Sequence, residues 1–167
     1  MADKPDYPFS LTRVFDAPAE AVFQAWTLAD AVKEWWGPKS HQTIVAQLDL
    51  QPGGIFHYCF QGADGQKMWG KFVYHEIAAP QRLVFVNSFS DESGHTTRAP
   101  FSPSWPLEMI NVLTLVEEMG KTTLTLQGNV INASPDEQAI YLASVGSMQQ
   151  SFTSTFDQLE AFLEKGK

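Results

Sequence analysis

The stretch PDEQAIYLASVGSMQQSFTSTFDQLEAFL, residues 135–163, decides the fold. Its start carries helix signals: Ser134 stands as N-cap, Pro135 at the first helical position, and Asp136 and Glu137 in the first turn, where acids favour the positive helix end. From there Leu142, Val145, Gly146, Gln149, Phe152, Phe156, Leu159 and Leu163 fall at three- and four-residue steps and predict one face of a single long helix. Gly146 and Gln149 interrupt that face. The interruption reads either as room for a guest on the helix or as a local fit to bulky side chains opposite, and the sequence leaves both open.

Around this helix the chain has enough residues, 167, for one domain spanning 1–167 with a substantial core. Hydrophobic residues make up 44% and charged residues 18%, the balance of an ordinary soluble globular protein. No apolar run is long enough to span a bilayer, and Met1 to Ser10 is polar and acidic where a signal peptide is basic and then apolar, so a cytoplasmic protein without membrane attachment is expected. A single cysteine, Cys59, excludes an internal disulfide. The formal net charge of −8, with no compensating basic cluster, repels phosphate backbones and argues against nucleic-acid binding. Aromatic residues reach 13%, with five Trp and twelve Phe, enough to fill a large core or line an apolar cavity.

Before the helix, Phe9 to Asp16 alternates as a first strand. Two short helices follow, the first opened by Pro18 with Val22, Phe23 and Trp26 on its apolar side, the second running from Leu28 to Trp35 and ended by Trp36-Gly37-Pro38. Strands are then expected at about Thr43–Leu50, Gly54–Gln61, Lys67–Ile77, Arg82–Phe89, Leu107–Val116 and Thr122–Ile131. Centring the hairpins on their turns pairs Tyr58 with Gly70, Phe56 with Phe72, Tyr74 with Phe85, Phe72 with Asn87, Glu76 with Leu83, and Asn111 with Gly128. One sheet face thereby collects Phe56, Tyr58, Phe60, Phe72, Tyr74, Phe85, Leu113, Leu115, Leu124 and Leu126, the face the long helix should cover. The opposite face is expected to be largely solvated, although Trp69, Val84 and Val86 fit water poorly; the short helices or a second copy in a homodimer would cover them. Ser90 to Pro106 lacks periodicity and reads as a lid or binding loop, with Phe101 and Trp105 folded back over the mouth of the sheet.

Local motifs then join the order of elements: Arg13-Val14-Phe15-Asp16-Ala17-Pro18, Trp26-Thr27, Trp35-Trp36-Gly37-Pro38, Asp49-Leu50-Gln51-Pro52-Gly53-Gly54, Met68-Trp69-Gly70-Lys71-Phe72-Val73-Tyr74, and Pro80-Gln81-Arg82-Leu83-Val84-Phe85. On these the chain resembles the activator of Hsp90 ATPase homologue 1-like family of the START/Bet v 1-like superfamily. The resemblance implies an α+β helix-grip fold, a bent seven-stranded antiparallel sheet wrapped around the long C-terminal helix, with two short helices after strand 1. It also implies a cavity between sheet and helix, a place where superfamily members bind lipids, hormones and polyketides or catalyse cyclisation and dehydration. It carries over no catalytic residue.

The residues themselves narrow the chemistry. His41, His57, His75 and His95 show neither the i, i+4 nor the i, i+2 spacing of metal ligands, and no cofactor motif occurs, so neither metal nor cofactor is expected. Cys59 alternates with Tyr58 and Phe60 and points away from the cavity. Glu76, read as inward, is the candidate acid or base, with a tyrosine such as Tyr74 as the alternative. Tyr58, Tyr74, Asn87, Asn111 and Gln149 are polar groups expected among inward Phe and Leu, positions that could orient a guest, with Phe56, Phe72 and Trp105 for apolar contact and Trp36 and Phe101 as wall and lid. The leading expectation is a protein that binds a small apolar or aromatic ligand. The alternatives are a cofactor-independent cyclase, aromatase or dehydratase, and a co-chaperone-like interaction module.

Overall fold

A computed structural model describes residues 7–166; Met1 to Asp6, the first part of the segment read as unlike a signal peptide, lies outside the described residues. Strand β1 (Phe9–Phe15) is followed by helices α1 (Ala19–Thr27) and α2 (Ala29–Trp35). Strands β2 (His41–Leu48), β3 (Ile55–Gly62), β4 (Lys67–Ala78), β5 (Arg82–Ser90), β6 (Thr96–Thr97), β7 (Met109–Glu118) and β8 (Lys121–Val130) come next, and helix α3 (Pro135–Lys165) closes the chain. Seven strands form one antiparallel sheet in the order β1-β8-β7-β5-β4-β3-β2, while the two-residue β6, absent from the sequence reading, extends the edge of β5. This is the helix-grip arrangement. No described helix is long and apolar enough to cross a membrane.

Hairpin register follows turn chemistry. Phe56 faces Phe72, Tyr58 faces Gly70 and Asn111 faces Gly128, as the centred turns require, and Tyr74 faces Phe85 because a bulge offsets a turn that is centred on Pro80 and not between Ala79 and Pro80. All ten side chains of the predicted inner face are buried. The Glu76–Leu83 pairing needs correction. A bulge between Tyr74 and Glu76 slips the register by one, so that Glu76 lies opposite Val84 and Ile77 opposite Leu83. A one-residue slip exchanges the faces of a strand. Glu76 therefore sits half in solvent and accepts from Arg82 Nε at 3.0 Å, away from the interior.

On the outer face Val84, Val86 and Val112 are buried, apart from the main core. The short helices do not cover them, since α2 packs on β2 and α3 and α1 reaches the ends of β7 and β8.

Helix α3 begins with a complete capping box: Ser134 Oγ accepts from Glu137 N, and Glu137 Oε1 accepts from Ser134 N at 2.7 Å. The other carboxylate oxygen of Glu137 takes Arg98, which ties the long loop between β6 and β7 to the helix start. The helix face differs from the predicted one. Tyr141, Thr155, Phe156, Leu159 and Leu163 are buried, with Val145, Met148 and Phe152 partly so, while Leu142 is 57% exposed and Gly146 faces open space. Starting the stripe at Leu142 instead of Tyr141 turns the first half of the helix by the ~100° that separates neighbours. Gln149 accordingly points to the sheet edge, donating to Ser10 O at 3.1 Å, and does not face the interior.

Two expectations follow. Because a Cβ at Gly146 meets nothing within 4 Å, Gly146→Ala should raise stability by about 0.5–1 kcal/mol through helix propensity alone, measured as a denaturant midpoint shift. The Glu137 carboxyl is held below its usual range first by Arg98 and then by the Ser134 amide, so it stabilises the fold above the ordinary value of 4.5 and loses that effect as pH falls through its lowered one. Thermal midpoints of Glu137→Gln should lie below those of the parent at neutral pH and converge on them in acid.

Candidate functional site

The site is built around the turn that ends α2. Gln158 Nε2 of α3 donates to Gly37 O at 2.8 Å and Trp35 O at 3.3 Å, Thr155 Oγ1 to Gly37 O at 3.2 Å, and Thr43 Oγ1 to Trp36 O at 2.6 Å. Gly37 has φ +112° and sits against the Phe60 ring, where a Cβ would be 2.7 Å away, so only glycine suits the turn. Held by its carbonyl, Trp36 inserts its indole edge-on into the aromatic interior, with ring centroids 5.3 Å from Phe72 and 5.8 Å from Tyr58.

Across the sheet, Tyr58 of β3 lies over Gly70 of β4 and reaches β5. Its hydroxyl accepts from Asn87 Nδ2 at 3.0 Å, and the same amide nitrogen donates to Lys71 O at 3.0 Å. The Lys71 carbonyl, a pure acceptor, fixes the orientation of the Asn87 amide. A Cβ at Gly70 would stand 2.6 Å from the Tyr58 hydroxyl, so the missing side chain is what lets the ring lie flat. Burial pushes the Tyr58 hydroxyl well above its usual pKa, against smaller opposing contacts from Asn87 and Trp36.

Between this floor, the turn and the middle of α3 opens a cleft of about 330 Å³. Phe60, Met68, Phe89 and Phe152 form its apolar walls, and Phe101, 63% exposed, stands at the rim against Phe89 and Trp105. No Asp, Glu, Lys, Arg or His lines it. Behind it lies a void of about 10 Å³ that shares Trp36, Asn87 and Phe152 with the cleft and is otherwise bordered by Trp26, Phe72, Phe85, Asn111 and Leu126.

Of the residues singled out in the sequence, Tyr58 and Asn87 border the cleft, and Phe72 and Asn111 the void. Phe56 packs behind Tyr58 and Phe72, at centroid distances of 5.0 and 5.1 Å. Tyr74 is enclosed elsewhere in the core, its hydroxyl without a partner. Trp105 is buried under its own loop against Tyr141. Gln149 and Glu76 stand outside, as described above. The sequence reading missed Phe60, Met68 and Phe89 as walls, although each was legible: Met68 pairs with Phe60, and Phe89 lies two residues beyond Asn87 on the same face. Cys59 is buried on the other face, and burial raises its thiol. Among the described residues no group of three or more His, Cys, Asp or Glu gathers as metal ligands would.

A bent sheet gripping a helix beside a charge-free cleft defines a helix-grip protein. The chain belongs to the activator of Hsp90 ATPase homolog 1-like protein family, whose model matches residues 16–164. Among solved structures it is similar to a protein of Mycobacterium smegmatis, at 28% identity over 92% of this chain and 88% of that one, with a TM-score of 0.73. A Staphylococcus epidermidis protein is 26% identical over 100% and 96%, also with a TM-score of 0.73. One from Arthrobacter aurescens, at 24% identity over 93% and 85% and a TM-score of 0.77, shares the fold. No curated protein matches the sequence.

Gly70→Ala should force the Tyr58 ring away and break its bond to Asn87, at about 1–3 kcal/mol. In a Tyr58→Ala background the same substitution should cost far less, and additive losses in the double-mutant cycle would refute the close approach.

Proposed function

We propose that this protein binds a small, largely apolar or aromatic molecule in the cleft between the Trp36–Pro38 turn, the sheet and α3. The observation that carries the reading is the Tyr58–Asn87 pair on the floor of a mainly apolar, charge-free cleft, to which Ser151 and Thr155 of α3 add the other polar side chains. Sites for small molecules combine apolar walls with a few convergent polar groups, in volumes from ~300 Å³ upward. At about 330 Å³ the cleft suits a body of one or two fused rings.

Tyr58 acts here as a hydrogen-bond donor. Its raised pKa keeps it protonated around neutrality, and its oxygen already accepts from Asn87, so the proton remains to be given. Glu76, the acid considered for cyclase, aromatase or dehydratase chemistry, is engaged with Arg82 on the far side. Binding is thus better supported than turnover.

The test uses the solvatochromic naphthalene ketone Prodan with the full chain. Its emission should shift to the blue and saturate on titration, with affinity reduced roughly three- to tenfold in Tyr58→Phe. Native mass spectrometry of protein purified from its own host should show a small apolar compound released on denaturation. An unshifted Prodan spectrum together with an empty protein would sink the reading.

A further inference from the structure

The fully buried side-chain polar atoms without a hydrogen-bond partner, among the described residues, are Trp26 Nε1, Trp36 Nε1, Trp105 Nε1 and Tyr74 Oη. Three are indole N–H groups that only donate, and the fourth, a tyrosine hydroxyl, can donate as well. Buried donors left unmade are costly, at ~1–3 kcal/mol each, and such atoms are rare in folded proteins. Two of them, the indole N–H groups of Trp26 and Trp36, belong to side chains bordering the void behind the cleft, with ring centroids 5.9 Å apart. Neighbouring Trp35, by contrast, donates to Ala25 O at 2.9 Å.

Trp36 is the informative one, because it borders both cleft and void. Its ring stands edge-on to Tyr58, with centroids 5.8 Å apart, and its N–H is a weak donor toward the Tyr58 hydroxyl that makes no hydrogen bond of good geometry. The Tyr58 oxygen is already served by Asn87, whose two amide protons are spent on Tyr58 and on Lys71 O. Two donors therefore stand side by side with protons to give, the Trp36 indole and the Tyr58 hydroxyl.

We propose that the cleft selects ligands carrying a neutral acceptor oxygen, a ketone, ester, amide or quinone carbonyl on an aromatic or apolar body, held jointly by Trp36 Nε1 and Tyr58 Oη. Neutrality follows from the lining. A carboxylate entering a buried site with no Lys, Arg or His would lose its hydration without a compensating charge. The chain's net charge of −8 opposes anions further. The carbonyl points inward, and the ring or chain that bears it lies against Phe60, Phe89 and Phe152.

This inference rests on the proposed binding reading, and three probes separate the two: Prodan, its analogue with the ketone reduced to CH2, and the corresponding naphthoate. Calorimetry with the full chain should give Prodan an affinity roughly tenfold or more above the reduced analogue, with the naphthoate weakest. Trp36→Phe should bring the ratio of ketone to reduced-analogue affinity toward one, whatever it does to the two affinities together, because general loosening of the site weakens both and leaves their ratio in place. Equal affinities of ketone and reduced analogue in the parent protein overturn the donor assignment and leave ligand binding standing. A preference for the naphthoate overturns the neutral class. Binding of none of the three removes the binding reading and this inference with it. The parent comparison needs no variant to fold.

Discussion

A sheet that gathers ten large side chains, Phe56 to Leu126, on one face cannot leave that face in water, and covering it is the constraint on which the rest of the structure depends. At ~25 cal/mol per Å² of apolar surface, burial of this face is the dominant favourable term in folding. Helix α3 supplies the cover through Phe156, Leu159 and Leu163, none more than 9% exposed, and its 31 residues span ~46 Å. A straight helix of that length crosses a curved sheet with good contact only over part of its course. Its C-terminal half is seated deeply, its start is anchored by Tyr141 and the Ser134–Glu137 box, and between them Val145, Met148 and Phe152 are only partly buried.

The gap between helix and sheet is filled in part from elsewhere. Trp36 arrives from the end of α2, positioned by hydrogen bonds from Gln158, Thr155 and Thr43 to its own and its neighbours' backbone carbonyls. Packing by a flat, rigid side chain whose N–H has no acceptor is an unusual filling for a core. Leucine or phenylalanine would remove apolar surface from water without stranding a donor. The arrangement therefore combines a stability cost with a polar group held at the inner end of an open cleft, a combination expected where binding constrains the residue choice.

Much of this was legible before any coordinates. Turn chemistry at Asp64 and Gly120 set two hairpins and their inner faces, because side chains alternate along a strand, whereas at Ala79-Pro80 the turn is shifted by one residue and the bulge restores the pairing beyond it. The Tyr58–Asn87 floor follows from that register. What was not legible lay where a regular period breaks or is ambiguous. The bulge at His75 has no signature in its own residues, yet it moves Glu76 from the inner to the outer face. In α3 the spacing fits a stripe that starts at Leu142, whereas the structure uses Tyr141, whose hydroxyl approaches Gly128 while its ring packs on Trp105. Gln149 followed the same error. The donor imbalance was hidden as well, since tryptophan count says nothing about which indoles find carbonyls.

One pattern recurs on the inner face and links fold to site. Tyr58 stands opposite Gly70, and Asn111 opposite Gly128; in each case a Cβ on the glycine would lie within 2.7 Å of the polar end of the side chain across from it. A glycine within a strand weakens it, so its presence twice beneath an inward polar residue requires a compensating reason. The reason is geometric. In a curved sheet the inward side chains converge, and a tyrosine standing straight off the sheet would aim its hydroxyl at the helix. Removing the opposing side chain lets the ring lie along the sheet, which sends the hydroxyl sideways to Asn87 at the cleft floor and keeps the volume beneath α3 for apolar groups. The same omission that weakens β4 therefore creates the oriented donor on which the site turns.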